Sequence, residues 1–302
     1  MKHIDHLFCT VALGMFLAAA AHAQNSGITG ACTWRIDGDT LYIEGSGAME
    51  DYTPGSAPWY ASRDHLYSLV IGDGVTAIGD YAFEGCSGFT GNLSLPEGVT
   101  SIGVGAFRNC SSFTGSLNIP VGVTSIGSGA FSDCNGLTGI SVDAGNTAYS
   151  AVDGVLFNKT GTVLVACPAG KTGAVDIPVT VTSIGDNAFS GCSGLIGSLT
   201  LPAGVTSIGD YVFAGCSGFT GSLTLPAGLT SIGDVAFYEC SGFTGSLTLP
   251  AGLTSIGVDA FWSCGGFTGS LNIPAGLTSI GDGAFSECNG LTGISVDAGN
   301  TA

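Results

Sequence analysis

"LTLPAGLTSIGDVAFYECSGFTGS" (residues 223–246) and "LTLPAGLTSIGVDAFWSCGGFTGS" (residues 247–270) are one phrase written twice, 24 residues apart. A fixed period of this length marks a chain that grows by stacking units rather than by enlarging one core. Inside the phrase, Leu223 and Leu225 alternate with Thr224, a strand pattern. Pro226 ends that strand, and the Ala-Gly pair after it turns the chain. Leu229 and Ile232 then point inward along a second short extended piece. "GDVAFYEC" (residues 233–240) reads as a tight helical turn, with Asp234 as its N-cap and Ala236, Phe237 and Cys240 inward. Phe243 closes the coil, and a Thr-Gly pair returns the chain to the next strand. The Gly before each strand, in "FTGSLTLP", is expected to loosen that corner.

The cysteines report the same period. Cys86, Cys110 and Cys134 are 24 apart, as are Cys192, Cys216, Cys240, Cys264 and Cys288. The step from Cys134 to Cys192 is 58, one repeat plus 34 further residues, so eight units carry one interruption. "GLTGISVDAGNTA" at residues 136–148 recurs at residues 290–302, where the sequence stops as the insert would begin again. The sequence therefore reads as part of a longer repetitive protein. Energetics explain the repetition. One unit buries roughly eight apolar side chains, at about 1.5–3 kcal/mol each. Ordering its backbone and side chains costs on the order of 1.5 kcal/mol per residue. A lone coil therefore loses, and a stacked one gains by covering its neighbours and completing their backbone ladder at about 4.8 Å spacing.

Composition narrows the class. Of 302 residues, 45% are hydrophobic and 10% charged, which is not a disordered composition; the 51 glycines follow no collagen period. A net charge of −17 repels phosphate backbones, which excludes nucleic acid as a natural partner, and it disfavours anionic membranes. Lys2, the apolar stretch 7–20 and "AHAQ" read as an export signal spanning 1–23, cleaved after Ala23. Cys9 lies near the start of the apolar run and not after it, so it is no lipid-attachment cysteine. No later segment is long and apolar enough to span a membrane.

The phrase L-x-L-P-x-x-L-T-S-I-G-x-x-A-F-x-x-C resembles the BspA-type leucine-rich repeats of bacterial surface proteins, from about Val75 onward. "WRIDGDTLYIEGSGAMEDY", "APWY" and "LYSLVIGDGVTAIGDYAF" are similar to that family's N-terminal cap. "YSAVDGVLFNKTGTVLVACPAGKTGAVDIP" resembles its island, here a β-hairpin turning at 158–161. The resemblance implies a mostly β, right-handed leucine-rich-repeat solenoid of 24-residue coils. Residues 24–68 would be a β-rich cap, and 69–302 the solenoid with a 34-residue island around 143–176. It also implies an exported or cell-surface bacterial protein, without catalysis or cofactor. Such a protein would offer an elongated face to a protein or other extracellular macromolecule, such as a host matrix protein. The alternative is a spacer presenting a further C-terminal domain. A monomer is expected.

The chemistry-bearing residues are few. Once His3, His6 and His22 leave with the signal, only His65 remains, so no multi-histidine metal site and no His-based catalytic triad beyond His65 can form. The cysteine column lacks CxxC spacing, which speaks against zinc. Parallel side chains on stacked coils have a disulfide's Cα distance but not its Cβ approach. A ladder of buried thiols is the reading, with Cys32 and Cys167 outside it and their pairing open. Asp80, Asp186, Asp210, Asp234 and Asp282 share one position; Val104, Ser128 and Val258 hold it elsewhere, so turn capping is favoured over a calcium ladder. The position after Ala-Phe varies through Glu84, Arg108, Ser132, Ser190, Ala214, Tyr238, Trp262 and Ser286. Arg108, Tyr238 and Trp262 are candidate partner contacts there. A second exposed column, Ser94, Asn118, Thr200, Thr224, Thr248 and Asn272, is either a binding face or a polar ladder.

Overall fold

Alternating Leu and Thr, a Pro stop and a buried Ile divide each 24-residue phrase into two short extended runs and a turn. In the computed structural model, which describes residues 25–300, these pieces stack in register on their copies in the next coil. Leu223–Thr224 pairs in parallel with Leu199–Thr200. Ser207, Ser231, Ser255 and Ser279 align along a second parallel ladder, each followed by an Ile. The Thr before that strand is used twice. In Thr230 both the amide and the hydroxyl donate to the Thr206 carbonyl, at 2.8 and 2.9 Å. Thr254 repeats both bonds to Thr230. Two hydrogen bonds per Thr therefore tie each coil to the one before it. The molecule is a β-solenoid, and the expected export signal, with Cys9, His3, His6 and His22, lies outside the described residues.

The third side departs from expectation. Residues 233–240 form no helix. Their amides alternate in direction: Val235, Phe237 and Glu239 donate to Val258, Ala260 and Trp262 of the following coil, while Tyr238 and Cys240 donate locally, to Val235 and Phe237. The cause is two left-handed residues per turn. Val235 (φ 59°) and Glu239 (φ 56°) are one such pair, Tyr81 with Gly85 another. A right-handed helix cannot pass through such residues, but a turn whose every second amide points along the stacking axis can. The corner glycine does not loosen the ladder either. The carbonyls of Gly91, Gly197 and Gly245 accept the amides of Thr114, Thr220 and Thr268 on the next coil.

Inside, the Phe of each Ala-Phe pair stacks on its copies. Phe213, Phe237 and Phe261 are spaced 5.1 and 5.0 Å between ring centroids. Phe243 packs edge-on against Phe237 and stacks on Phe219 and Phe267. At the N-terminal end, Ser26–Thr29, Cys32–Asp37 and Thr40–Gly45 form an antiparallel sheet whose last strand continues in parallel to Ser68–Ile71. Trp59 lies 24 residues before Phe83, stacks on it at 5.8 Å and donates its indole N–H to the Ala82 carbonyl at 2.8 Å. The terminal sheet thus closes the core with an aromatic rung of its own.

The island breaks the regular ladder. Tyr149–Val152, Val155–Asn158 and Val163–Ala166 form two hairpins, one turning at Asp153-Gly154 and one after Asn158, and the last strand runs parallel to Ser183–Ile184. The island supplies no turn of its own. On the turn side, two serines reach across to the next turn, Ser128 Oγ to the Asp186 carbonyl (3.1 Å) and Ser132 Oγ to the Asn187 carbonyl (3.3 Å). Cys167 of the island donates its amide to Ala188, the bond that Phe131 would make in an unbroken ladder. The core accordingly falls into two clusters, residues 32–156 and residues 155–288.

Candidate functional site

The cysteine column lies wholly inside. Cys86 through Cys288, and also Cys32 and Cys167, are buried free thiols. Seven of the eight repeat thiols, all but Cys86, donate to a carbonyl, a job that their size and weak donor suit. Cys110 Sγ donates to the Phe83 carbonyl at 3.0 Å, Cys216 to Phe189 at 3.1 Å and Cys264 to Phe237 at 3.0 Å. Those carbonyls already accept one local amide, so the thiol fills the second lone pair and links two coils. Beside the island, Cys192 turns to Cys167 and Pro168 instead. Burial pushes the thiols up, to about 12 for Cys86 and Cys134. Thiols this reluctant to ionise are poor nucleophiles and poor metal ligands.

The Asp column also acts between coils. Asp80 Oδ1 accepts the Val104 amide at 2.7 Å, Asp210 that of Asp234 at 2.8 Å, and Asp234 that of Val258 at 2.7 Å. Asp234 is therefore no N-cap of its own turn, because the turn is not helical and the nearest free amide belongs to the next coil. Among the described residues, no group of three or more His, Cys, Asp or Glu side chains could hold a metal ion. His65 is exposed at the end of a short 3-10 helix, Tyr60–His65.

On the outside, the two aromatic residues at the variable position meet. Tyr238 and Trp262 stack with centroids 4.7 Å apart and planes 10° from parallel, both half-buried. The Ser and Ala that flank them in the column, Ala214 and Ser286, leave the outer ring faces without an aromatic neighbour. Desolvation and the nearby carboxylates of Glu239 and Asp259 raise the Tyr238 phenol above its ordinary value. Arg108, four rungs from Tyr238 across the break, faces Glu84 at 3.8 Å, and its Nε is buried with no hydrogen-bond partner.

The second column divides. Thr200, Thr224 and Thr248 stand exposed, as does Ser94 on the far side of the island. Asn118 and Asn272 are committed within the fold: Asn118 donates to Asp143 (3.2 Å) and accepts from Ser141 (3.0 Å), and Asn272 does the same with Asp297 and Ser295. They fasten the strand that leads into the island motif.

The BspA type leucine rich repeat region matches this chain in six copies, over residues 58–160 and 171–292. No curated protein matches it. Among solved structures, the pneumococcal vaccine antigen PcpA is 18% identical, with a TM-score of 0.63 over 92% of this chain and 88% of that one, a likeness of fold. A leucine-rich repeat protein from Eubacterium ventriosum is 25% identical, with a TM-score of 0.44 over 87% of this chain and 95% of that one. A leucine rich cell surface protein from Faecalibacterium prausnitzii is 20% identical, with a TM-score of 0.43 over 90% and 95%. No helix among the described residues is long and apolar enough to cross a membrane.

Proposed function

From the premise that the chain belongs to the BspA-type leucine-rich-repeat family, we propose that it is an exported, non-catalytic surface protein that binds an extracellular macromolecule along one side of its solenoid. One observation carries the reading. Tyr238 and Trp262 are large rings stacked on the outside of adjacent coils, at a position where Ser132, Ser190 and Ser286 serve the fold equally well. The fold does not need them there, and stacked rings offer rigid contact area at small entropic cost. Glu239, Asp259 and a net charge of −17 favour a partner that brings basic side chains.

The test is binding of the protein to immobilised collagen, fibronectin and laminin at two salt concentrations. Tyr238→Ser with Trp262→Ser is expected to weaken the interaction tenfold or more, while leaving the melting temperature near that of the parent. Binding that survives the double substitution would remove the aromatic pair from the interface. Binding to none of the three would favour a spacer over an adhesive role.

A further inference from the structure

The left-handed position that opens each turn reads Tyr81, Gly105, Gly129, Asn187 and Tyr211 over five consecutive rungs, the step from Gly129 to Asn187 crossing the island. Two glycines and a short amide thus lie between two tyrosines. The result is a trough of about 240 Å³ on the turn side. Three regular coil steps of about 4.8 Å, plus the junction at the island, separate its tyrosine ends. The Tyr81 ring lies over Gly105, its edge 2.6 Å from where a Cβ would stand, so a side chain there would displace the ring. Tyr211 is 43% exposed at the other end. The floor is incomplete at its centre. In unbroken junctions the amide at this position donates to the next coil, as Gly105 does to Ser128 and Tyr211 to Asp234. Across the island only the Ser128 hydroxyl reaches the Asp186 carbonyl, and the Gly129 N–H has no backbone acceptor among the described residues. Arg108, with its unpartnered Nε, lines the same trough, as do Asp186 and Asp210.

We propose that this trough binds a short neutral oligosaccharide. It offers donors (the Gly129 N–H, the Arg108 guanidinium, and the Asn187 amide beyond its 3.3 Å bond to Ser128 Oγ) and acceptors (the carboxylate oxygens of Asp186 and Asp210 not used in the ladder) side by side. Sugar hydroxyls, each both donor and acceptor, match that mixture. The tyrosine rings at the ends suit the C–H faces of pyranose rings, apolar bodies with polar edges. The volume lies just under the range of drug-sized pockets, room for one or two rings of a longer sugar chain. An anionic sugar meets a molecule of net charge −17, and a basic peptide meets the Arg108 guanidinium, so neither is favoured. The site is separate from the Tyr238/Trp262 pair and stands or falls without it.

Saturation-transfer NMR with cellotriose, maltotriose, chitotriose, sialyllactose and tri-lysine tests the assignment. One of the three neutral trisaccharides is expected to bind, and its titration is expected to shift the Gly129 amide resonance in the unmutated protein. Tyr211→Asn, which keeps a residue tolerant of positive φ, and Arg108→Ser, a residue found in the same column, should each weaken binding at least tenfold with the melting temperature held. The proposal is overturned if no neutral trisaccharide binds, if sialyllactose or tri-lysine binds in preference, or if the Gly129 resonance stays fixed while a sugar binds elsewhere.

Discussion

A buried thiol at every coil makes the protein sensitive to alkali. In the unfolded chain a cysteine titrates near pH ~8.5. In the folded protein Cys86 and Cys134 are held up to about 12, and Cys110, Cys192, Cys216 and Cys240 are also raised, by burial above all except in Cys192, where the Cys167 side chain comes first. Above pH ~8.5 the unfolded chain therefore binds fewer protons than the folded one, and stability falls as pH rises; below it the contribution is complete. Each such thiol removes up to about 1.4 kcal/mol per pH unit in that window. Urea midpoints of the reduced protein should be flat from pH ~6 to ~8 and drop steeply between ~9 and ~10. In Cys240→Ala the alkaline slope should be shallower by one proton. A midpoint unchanged to pH ~10 would show that the thiols are not buried as described.

At the scale of the turn, the two left-handed residues decide the geometry, and they are where sequence reading was least informative. The strands were legible because Leu-Thr-Leu alternation and the Ile of "TSIG" state a period of two. "GDVAFYEC" instead carries an Asp, an apolar pair and a Cys at helix-like spacing, and one copy alone supports a helix. Only the column across copies, with Gly105, Gly129, Gly283 and Asn187 at one position, reveals a backbone with positive φ. Similarly, Asp153-Gly154 is a hairpin dipeptide in plain view, and it makes the first of the island's two hairpins. The trough was not legible, because it depends on Ser128 meeting Asp186, 58 residues on, and spacing does not say which coils become neighbours across an insert. The same column predicts a stabilising change. Val235 is β-branched and sits at φ 59°, a strained combination costing about 1–3 kcal/mol. Val235→Asn, matching Asn187, should raise stability by about 1 kcal/mol, read as a higher urea midpoint at unchanged slope. A lower midpoint would mean that the Val235 side chain contributes more by packing than its backbone loses.

At the scale of the whole molecule, stability should be local, and the island should bound it. Coils touch only their neighbours, so a defect spreads by adjacency. The inner Phe column runs from Phe189 through Phe213, Phe237 and Phe261 to Phe285 with centroid spacings of 4.9 to 5.4 Å. On the other side of the island it runs from Trp59 through Phe83 and Phe107 to Phe131. Between Phe131 and Phe189 the island's Val165, Ala166 and Cys167 intervene around a cavity of about 10 Å³, barely room for one water. Phe237→Ala removes a fully buried ring from the middle of the second run, at a cost of about 3–5 kcal/mol. Hydrogen exchange reads the consequence coil by coil, because the Thr206, Thr230 and Thr254 carbonyls each hold an amide of the next coil. Protection should fall most at the amides of Phe213, Phe237 and Thr254, less at those of Phe189 and Thr278, and hardly at all in the cluster of Trp34, Trp59 and Phe83. Even loss of protection from Trp34 to Thr278 would mean that the two clusters unfold as one body, and that the island transmits strain instead of containing it.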